Sequence, residues 1–215
     1  MADWTPVDTF FFFDLDMTLY AYDFRRRLPA LAELTGASQY HLARTWWADG
    51  YEARAEVGEW MTADDYLDAF ASVTSTRRLA LEEWASARAR AMTRIDGSIA
   101  ALRRASELGG VSLLSNNPAA TAAALPILVP DVVEILGENL LVSYQLGARK
   151  PDPELYRRAL DHYGVTAENA FLADDSAPNC EGARAVGMTA HHFVQVGGVF
   201  QTDALLASVE EFAAR

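Results

Sequence analysis

The feature that most constrains the fold is a run of four phenylalanines, Phe10–Phe13, near the start of the chain. Such a run cannot alternate between a buried and an exposed side, so it suits a strand that is buried on both faces of a parallel sheet. Asp14 and Asp16 follow where this strand would end, in the position where open α/β sheets bind their ligands. A strand ending in an ordinary Asx turn would explain such a pair alone. With Thr18 added behind an aromatic strand, the pattern favours a functional site, because paired carboxylates repel each other unless a cation or a reaction uses them.

Downstream of this strand, the hydrophobic pattern changes once along the chain. Residues 21–95 read as helices with no convincing strand, and Ser38 and Thr62 are placed to cap two of them. Beyond residue 95, short apolar strands alternate with helices, which favours an α/β fold with a doubly wound, mostly parallel sheet. We predict that residues 1–20 and 96–215 form this core, and that residues 21–95 are inserted as an all-helical cap. The strands predicted in the core are 10–13, 111–114, 140–142, 170–173 and 189–193, and the predicted helices are 98–108, 118–125, 153–163 and 178–186.

Polar side chains fall at the ends of predicted strands or just beyond them. Ser115 and Asn116 follow the second core strand, Asp174 and Asp175 follow the fourth, and Lys150 lies between these positions. Lys150 is the only lysine beside 17 arginines, which indicates a position that needs a compact ammonium rather than a planar guanidinium. Because the carboxyl ends of parallel strands share one edge of a sheet, we expect these residues to meet the first carboxylate pair in one crevice.

Composition excludes several classes of protein. A chain of 215 residues suits one domain with an insertion or two small domains. The net charge of −12 disfavours a nucleic-acid partner, and no apolar run approaches the roughly 20 residues of a membrane span. Residues 1–7 lack the pattern of a secretory signal, and the single cysteine, Cys180, fits a reducing compartment. We therefore predict a soluble cytoplasmic protein, monomeric or homodimeric, that binds neither nucleic acid nor membrane.

The order of these polar clusters resembles that of the haloacid dehalogenase-like hydrolase superfamily. The resemblance extends over essentially the whole chain and implies a Rossmann-like core with a helical cap. Within the superfamily, the spacing of Asp174, Asp175 and Asn179 is similar to that of sugar-phosphate phosphatases of the glucose-1-phosphatase type. The matching motifs are DLDMTLY at 14–20, LLSNN at 113–117, ARKPDPELY at 148–156 and LADDSAPNCEGARAVGM at 172–188.

The resemblance implies a phosphatase that hydrolyses a small phosphorylated metabolite, a sugar phosphate or a nucleotide-like compound. In that reading Asp14 attacks phosphorus and forms an aspartyl-phosphate. Asp16 protonates the leaving oxygen and then takes a proton from water. Ser115, Asn116 and Lys150 bind the phosphoryl group, and Lys150 also pairs with the nucleophile.

The same resemblance implies a Mg²⁺ cofactor, since this ion prefers oxygen ligands. The implied ligands are Asp14, the backbone carbonyl of Asp16, and Asp174. Asp175 is expected beside the metal, either as a ligand through water or as a hydrogen-bond acceptor for the ligands. Thr18 is expected to orient Asp16.

Other activities remain open on this pattern. A 2-haloacid dehalogenase needs no acid for its leaving group, so Asp16 argues against it. A phosphomutase would use the same motifs, but the cap shows no recognisable specificity loop. A binding module without activity predicts the loss of one of four residues that are all present: Asp14, Asp16, Lys150 and Asp174.

The cap is expected to select the substrate. Trp47, Tyr51 and Arg54 fall on one face of a predicted helix, and such a face suits stacking on a sugar or base and binding of a second anion. Packing within the cap is the alternative role for these aromatic residues. The run from Arg25 to Arg27 is expected at a solvated helix start, with one of the three pointing into the cleft as the alternative.

Overall fold

The computed structural model describes residues 9–215; residues 1–8, with the segment on which the prediction about a secretory signal rests, lie outside the described residues. The strands are β1 (Phe10–Phe13), β2 (Tyr20–Tyr22), β3 (Met92–Arg94), β4 (Gly110–Ser115), β5 (Leu140–Val142), β6 (Ala170–Asp174), β7 (Thr189–His192), β8 (Gln195–Val196) and β9 (Val199–Phe200). The helices are α1 (Phe24–Thr35), α2 (Gln39–Leu42), α3 (Tyr51–Glu56), α4 (Ala63–Thr74), α5 (Leu81–Ala89), α6 (Asp96–Leu108), α7 (Ala119–Leu128), α8 (Pro130–Leu136), α9 (Ser143–Leu146), α10 (Pro153–Tyr163), α11 (Ala177–Ala185) and α12 (Thr202–Ala213).

The phenylalanine strand lies at the centre of a parallel five-stranded sheet with the order β5-β4-β1-β6-β7. All four phenylalanines are completely buried. Phe11 and Phe13 pack into one hydrophobic core with residues of α6, α8 and α12, whereas Phe10 and Phe12 pack into a second core with residues of α10 and α11. Helices therefore cover both faces of the sheet, which confirms the predicted doubly wound, Rossmann-like α/β fold.

The predicted core elements agree closely with the observed ones. The predicted strand 140–142 and helix 153–163 have the bounds of β5 and α10. Sequence patterns missed α8, α9, α12 and the short hairpin of β8 and β9. Helix α12 packs mainly against α6, so its position depends on a contact across about 100 residues that no local pattern reveals.

The segment between β1 and α6 contains α1 to α5, but its description as purely helical is wrong. Strands β2 and β3 pair antiparallel at the two ends of this segment, where Tyr20 lies opposite Arg94 and Tyr22 opposite Met92. Each strand has three residues, too few to show an alternating pattern, and each is held by its partner some 70 positions away. We keep the name cap for residues 21–95, the predicted insertion. Helices α4 and α5 pack against α7, which begins just beyond the carboxyl end of β4.

The capping residues predicted in this segment are confirmed. The side chain of Ser38 accepts a hydrogen bond from the amide of His41, and the side chain of Thr62 accepts one from the amide of Asp65. The continuous helical face predicted farther along is wrong. A π-helical turn, Ala43–Ala48, follows α2, and the chain then breaks at Gly50 with a φ of +83° before α3 begins. Trp47 is therefore not on one helical face with Tyr51 and Arg54.

No single helix within residues 9–215 is long and apolar enough to cross a membrane; α7 and α8 reach that length and composition only together, and they meet at a bend of 98°.

Candidate active site

The ends of three adjacent strands bring the predicted catalytic residues together. Asp14 follows β1 directly, Ser115 ends β4, and Asp174 ends β6. The parallel register pairs the last residue of β1 with both neighbouring strands, and the amide of Asp14 donates to the carbonyl of Ala173 at 2.9 Å. Residues from distant parts of the sequence thus lie along one sheet edge, as predicted for ligand-binding parallel sheets.

Lys150 lies inside this site rather than at its rim. Its ammonium is 2.5 Å from a carboxylate oxygen of Asp174, 3.0 Å from Asp14, and 2.7 Å from the carbonyl of Leu114. Burial lowers the pKa of Lys150, but the two carboxylates outweigh this effect and raise it to about 12. The side chain is therefore a permanent cation that links the ends of β1, β4 and β6.

Asn116 holds the backbone of Lys150 in place. Its side-chain amide donates to the carbonyl of Lys150 at 2.9 Å and accepts from the amide of Lys150 at 2.8 Å. Both ends of this side chain are occupied by the backbone of Lys150. The structure thus brings Asn116 to the site, but its side chain binds the backbone of Lys150, whereas the sequence predicted that it binds the phosphoryl group.

Three carboxylates form a cluster that suits a metal ion. One oxygen from each of Asp14, Asp174 and Asp175 lies within 4.8 Å of the others. Asp174 is completely buried and is oriented by the side-chain amide of Asn179, at 2.9 and 3.1 Å, and by the amide of Ser176, at 2.8 Å. A cluster of carboxylate oxygens of this kind fits Mg²⁺, which is a hard cation. Asp175, predicted beside the metal as a ligand through water or as a hydrogen-bond acceptor, belongs to this cluster.

Mutual repulsion in this cluster affects its titration. Burial raises the pKa of Asp14, Lys150 lowers it, and Asp174 and Asp16 raise it again, to about 7. Burial and the charge of Asp174 raise the pKa of Asp175 to about 6. A divalent cation would reverse both effects, since it favours the ionised carboxylates.

Asp16 points toward the cap and is held by two residues that sequence reasoning missed. A single nitrogen, Nη2 of Arg88, donates to both carboxylate oxygens at 2.8 and 2.6 Å, and the side chain of Asn117 donates at 3.2 Å. The hydroxyl of Thr18 is buried and has no hydrogen-bond partner, so the structure does not place it on Asp16 as predicted. Asn117 also donates to the hydroxyl of Ser115 at 2.9 Å.

The sequence offered a signal for only one of these two residues. Asn117 belongs to the LLSNN motif that follows β4, where the second asparagine was overlooked. Arg88 lies in α5 within an alanine- and arginine-rich stretch that reads as a solvated helix. Its contact with Asp16 joins positions 72 residues apart, and no local pattern distinguishes it from its exposed neighbour Arg90.

The predicted substrate residues of the cap lie in its aromatic packing. Trp47 packs edge-on against Phe24, with ring centroids 4.9 Å apart. The guanidinium of Arg54 lies 4.7 Å from the ring centre of Tyr51, and Arg54 pairs with Glu59. These contacts fit the alternative role that we weighed for the aromatic residues, packing within the cap.

The three arginines at the start of α1 differ in exposure. Arg25 and Arg26 are exposed, but Arg27 is 2% exposed and its guanidinium stacks over the ring of Trp84 at 4.8 Å. Arg25 and Arg26 thus lie at a solvated helix start as expected, whereas the helix turns Arg27 toward the interior of the cap.

Comparison with known proteins agrees with this geometry. Residues 10–187 match the family model for haloacid dehalogenase-like hydrolase. The chain is 27% identical over 191 residues to Phosphatase MT3486 of Mycobacterium tuberculosis (strain CDC 1551 / Oshkosh), which covers 83% of this chain and 84% of that protein.

Solved structures share the fold at low sequence identity. The chain is similar to the HAD family enzyme bt-2542 from Bacteroides thetaiotaomicron in complex with magnesium and inorganic phosphate, with a TM-score of 0.69, 19% identity, and coverage of 86% of this chain and 94% of that chain. It is also similar to a dehalogenase, with a TM-score of 0.57, 20% identity, and coverage of 96% and 97%.

Proposed function

Because the chain belongs to the haloacid dehalogenase-like hydrolase family, we propose that it is a Mg²⁺-dependent phosphatase that hydrolyses a small phosphomonoester. The observation that carries this proposal is the contact of the Lys150 ammonium with both Asp14 and Asp174 in a buried site. A cation in that position binds a phosphoryl oxygen while it holds the carboxylate that attacks phosphorus. The relative whose name is phosphatase supports the same reaction.

The first half-reaction uses the two carboxylates of the first motif. An oxygen of Asp14 attacks phosphorus, the bond from phosphorus to the ester oxygen breaks, and the ester oxygen leaves with a proton from Asp16. Lys150 and the hydroxyl of Ser115 lie beside Asp14 and suit binding of the transferred phosphoryl oxygens. This step leaves an aspartyl-phosphate on Asp14 and an ionised Asp16.

The second half-reaction regenerates the enzyme. Asp16 takes a proton from water, the water oxygen attacks phosphorus, and the bond to Asp14 breaks to release inorganic phosphate. Asp14 returns as a carboxylate and Asp16 returns protonated, so protons and electrons balance over the cycle.

The residues present fit a Mg²⁺ ion. The carboxylates of Asp14, Asp174 and Asp175 would hold it, with the backbone carbonyl of Asp16 as a further ligand. The bound ion would supply positive charge to the phosphoryl oxygens. Asn179 keeps Asp174 oriented for this role through its two hydrogen bonds.

The role that we assign to Asp16 bears on the alternative reactions. A haloacid dehalogenase does not require a leaving-group acid, so we favour phosphoester hydrolysis over dehalogenation. A phosphomutase would share the same carboxylates and is separated from a phosphatase by its product, a rearranged ester instead of free phosphate.

Release of phosphate from a panel of substrates tests the proposal. We expect Mg²⁺-dependent hydrolysis of at least one sugar phosphate or nucleotide, loss of activity in chelator, and recovery when Mg²⁺ is restored. Asp14→Asn serves as the control for contaminating phosphatases. Failure to release phosphate from any member of the panel would overturn the proposal and favour a binding module.

A further inference from the structure

Two almost fully buried arginines meet inside the cap, close to the proposed site. Arg27 in α1 and Arg88 in α5 are each 2% exposed. Arg27 donates to the hydroxyl of Tyr22 at 3.1 Å, and the guanidinium of Arg88 lies 4.9 Å from the centre of the same ring. Two cations therefore share one tyrosine at the boundary between the cap and the sheet edge.

Several hydrogen-bond donors of this cluster have no acceptor. Nε and Nη2 of Arg27, Nε of Arg88 and Nε1 of Trp84 are buried without a hydrogen-bond partner. Trp84 and Arg88 lie one turn apart on α5, and Arg27 stacks over Trp84, so these donors belong to one cluster. Buried donors without acceptors are unfavourable and are normally satisfied by a ligand or water.

The carboxylate of Glu52, beside Arg27, is engaged mainly by other donors. Glu52 accepts hydrogen bonds from Trp46 at 2.5 Å and from Tyr66 at 2.7 Å, and approaches Arg27 only to 3.9 Å. Both guanidinium groups therefore keep donors without partners, which are complementary to an anion with several oxygens.

The contact between Arg88 and Asp16 places this cluster beside the proposed site. One guanidinium nitrogen donates to both oxygens of Asp16, and Asn117 donates to one of them. Because we assign Asp16 to the leaving group, the donors of Arg88 lie on the leaving-group side of the proposed site. Nε of Arg88 has no acceptor there, and an anionic group of the substrate would provide one.

We propose that Arg88, with Arg27 beside it, forms a subsite for a second anionic group on the leaving-group side of the substrate. This inference rests on the proposed phosphatase function and specifies its substrate class: a phosphomonoester whose alcohol carries a carboxylate or a second phosphate. The second anion accepts hydrogen bonds from the buried donors of Arg88 and Arg27 that have no partner in the structure. Arg88 is then a specificity-determining residue supplied by the cap.

A matched pair of esters tests this subsite. We compare 2-carboxyethyl phosphate with propyl phosphate, which has a methyl group in place of the carboxylate, and propane-1,3-diol bisphosphate provides a second phosphate. The readout is kcat/KM, or the inhibition constant against an aryl phosphate where turnover is slow. We expect the wild type to favour at least one doubly anionic ester by roughly 10- to 100-fold, the range for a hydrogen bond to a charged group.

Substitution of the arginine should remove this preference. In Arg88→Gln the preference should fall toward one, mainly through KM, and Arg88→Lys should keep part of it because the charge remains. Arg90→Gln is the matched control, since Arg90 lies at the end of the same helix, pairs with Glu33 and is exposed. Thermal unfolding of each variant checks that it is folded.

The outcomes separate this inference from the function on which it rests. A wild type that hydrolyses phosphoesters but does not favour either doubly anionic ester overturns the subsite, even if the variants fail to fold. An Arg88→Gln enzyme that loses activity equally on charged and uncharged esters also overturns it, because Arg88 would then act on the transferred phosphoryl group. A wild type that releases phosphate from no ester overturns the proposed function and this inference with it.

Discussion

The ammonium of Lys150 lies 2.5 Å from a carboxylate oxygen of Asp174, and both side chains are completely buried. This contact joins the third and fourth sequence motifs at the centre of the sheet edge. At the open edge of a cleft, Lys150 would be expected to contribute little to folding. Its burial changes that expectation, because removal of one partner leaves the other charge uncompensated in the interior.

Replacement of Lys150 should therefore affect both activity and stability. Lys150→Arg should lose most turnover, since the wider planar guanidinium cannot occupy the point between Asp14 and Asp174. Lys150→Met should lower the free energy of unfolding by about 3–5 kcal/mol, the usual loss for a broken buried ion pair. Urea unfolding and phosphate release measure the two effects. Arg157→Gln, at an exposed position of α10, is the control. Near-wild-type turnover of a folded Lys150→Arg enzyme would contradict the assigned role.

The two carboxylates of the first motif should differ when each is replaced. Asp14→Asn should abolish turnover because no nucleophile remains. Asp16→Asn should slow hydrolysis of alkyl esters by roughly 10²- to 10⁴-fold, the usual contribution of general acid–base catalysis. With an aryl phosphate, whose leaving group needs no proton, Asp16→Asn should accumulate phosphoenzyme, which mass spectrometry of quenched samples detects. Equal residual activity in both variants would show that the roles are wrongly assigned.

Mg²⁺ should stabilise the folded protein through the three clustered carboxylates. Binding to the folded state alone raises the free energy of unfolding by about 2.7 kcal/mol at a concentration 100 times Kd. The increase in Tm with Mg²⁺ should be smaller in Asp175→Asn and unchanged in Asp161→Asn, an exposed control on α10. An Asp175→Asn variant with the wild-type response would exclude this side chain from the metal site.

The same cluster predicts how metal binding depends on pH. The pKa of Asp14 is raised to about 7 and that of Asp175 to about 6, so protons compete with the metal for both carboxylates near neutral pH. The apparent affinity for Mg²⁺ should fall as pH decreases from about 8 to about 5, which calorimetric titration at several pH values would measure. A constant affinity over this range would contradict the raised pKa values.

Glu56 in the cap should make stability depend on pH. Burial raises the pKa of Glu56 to about 8, although Arg149 opposes the shift. The folded state then retains a proton that the unfolded state has lost, so this group lowers stability progressively as pH rises from about 4.5 to about 8. Glu56→Gln lacks this effect, so the Tm of the variant should rise relative to the wild type across that range. Glu59→Gln, also in the cap, is the control, and a flat difference for Glu56→Gln would refute the prediction.

Sequence patterns predicted the core strands and two helix starts in the cap well, because these signals are local. A run of apolar residues indicates a strand that is buried on both faces of the sheet. Capping residues such as Ser38 and Thr62 bind an amide only three residues farther along the chain. Strands β2 and β3 escaped prediction because each exists only through pairing with the other. The helix break at Gly50 was missed because the π-helical turn before it depends on packing of the aromatic residues around Trp46.

The sequence by itself determined which residues meet at the edge of the sheet, since a parallel sheet sends the residues after its strands to one edge whatever the details of packing. Only the tertiary structure decided how those residues are paired. Lys150 forms a buried ion pair with Asp174, and the side chain of Asn116 bonds to the backbone of Lys150. Arg88 donates to Asp16, although the two residues are 72 positions apart in the chain. Such pairings depend on distances between elements, and a linear pattern of residue types contains no information about those distances.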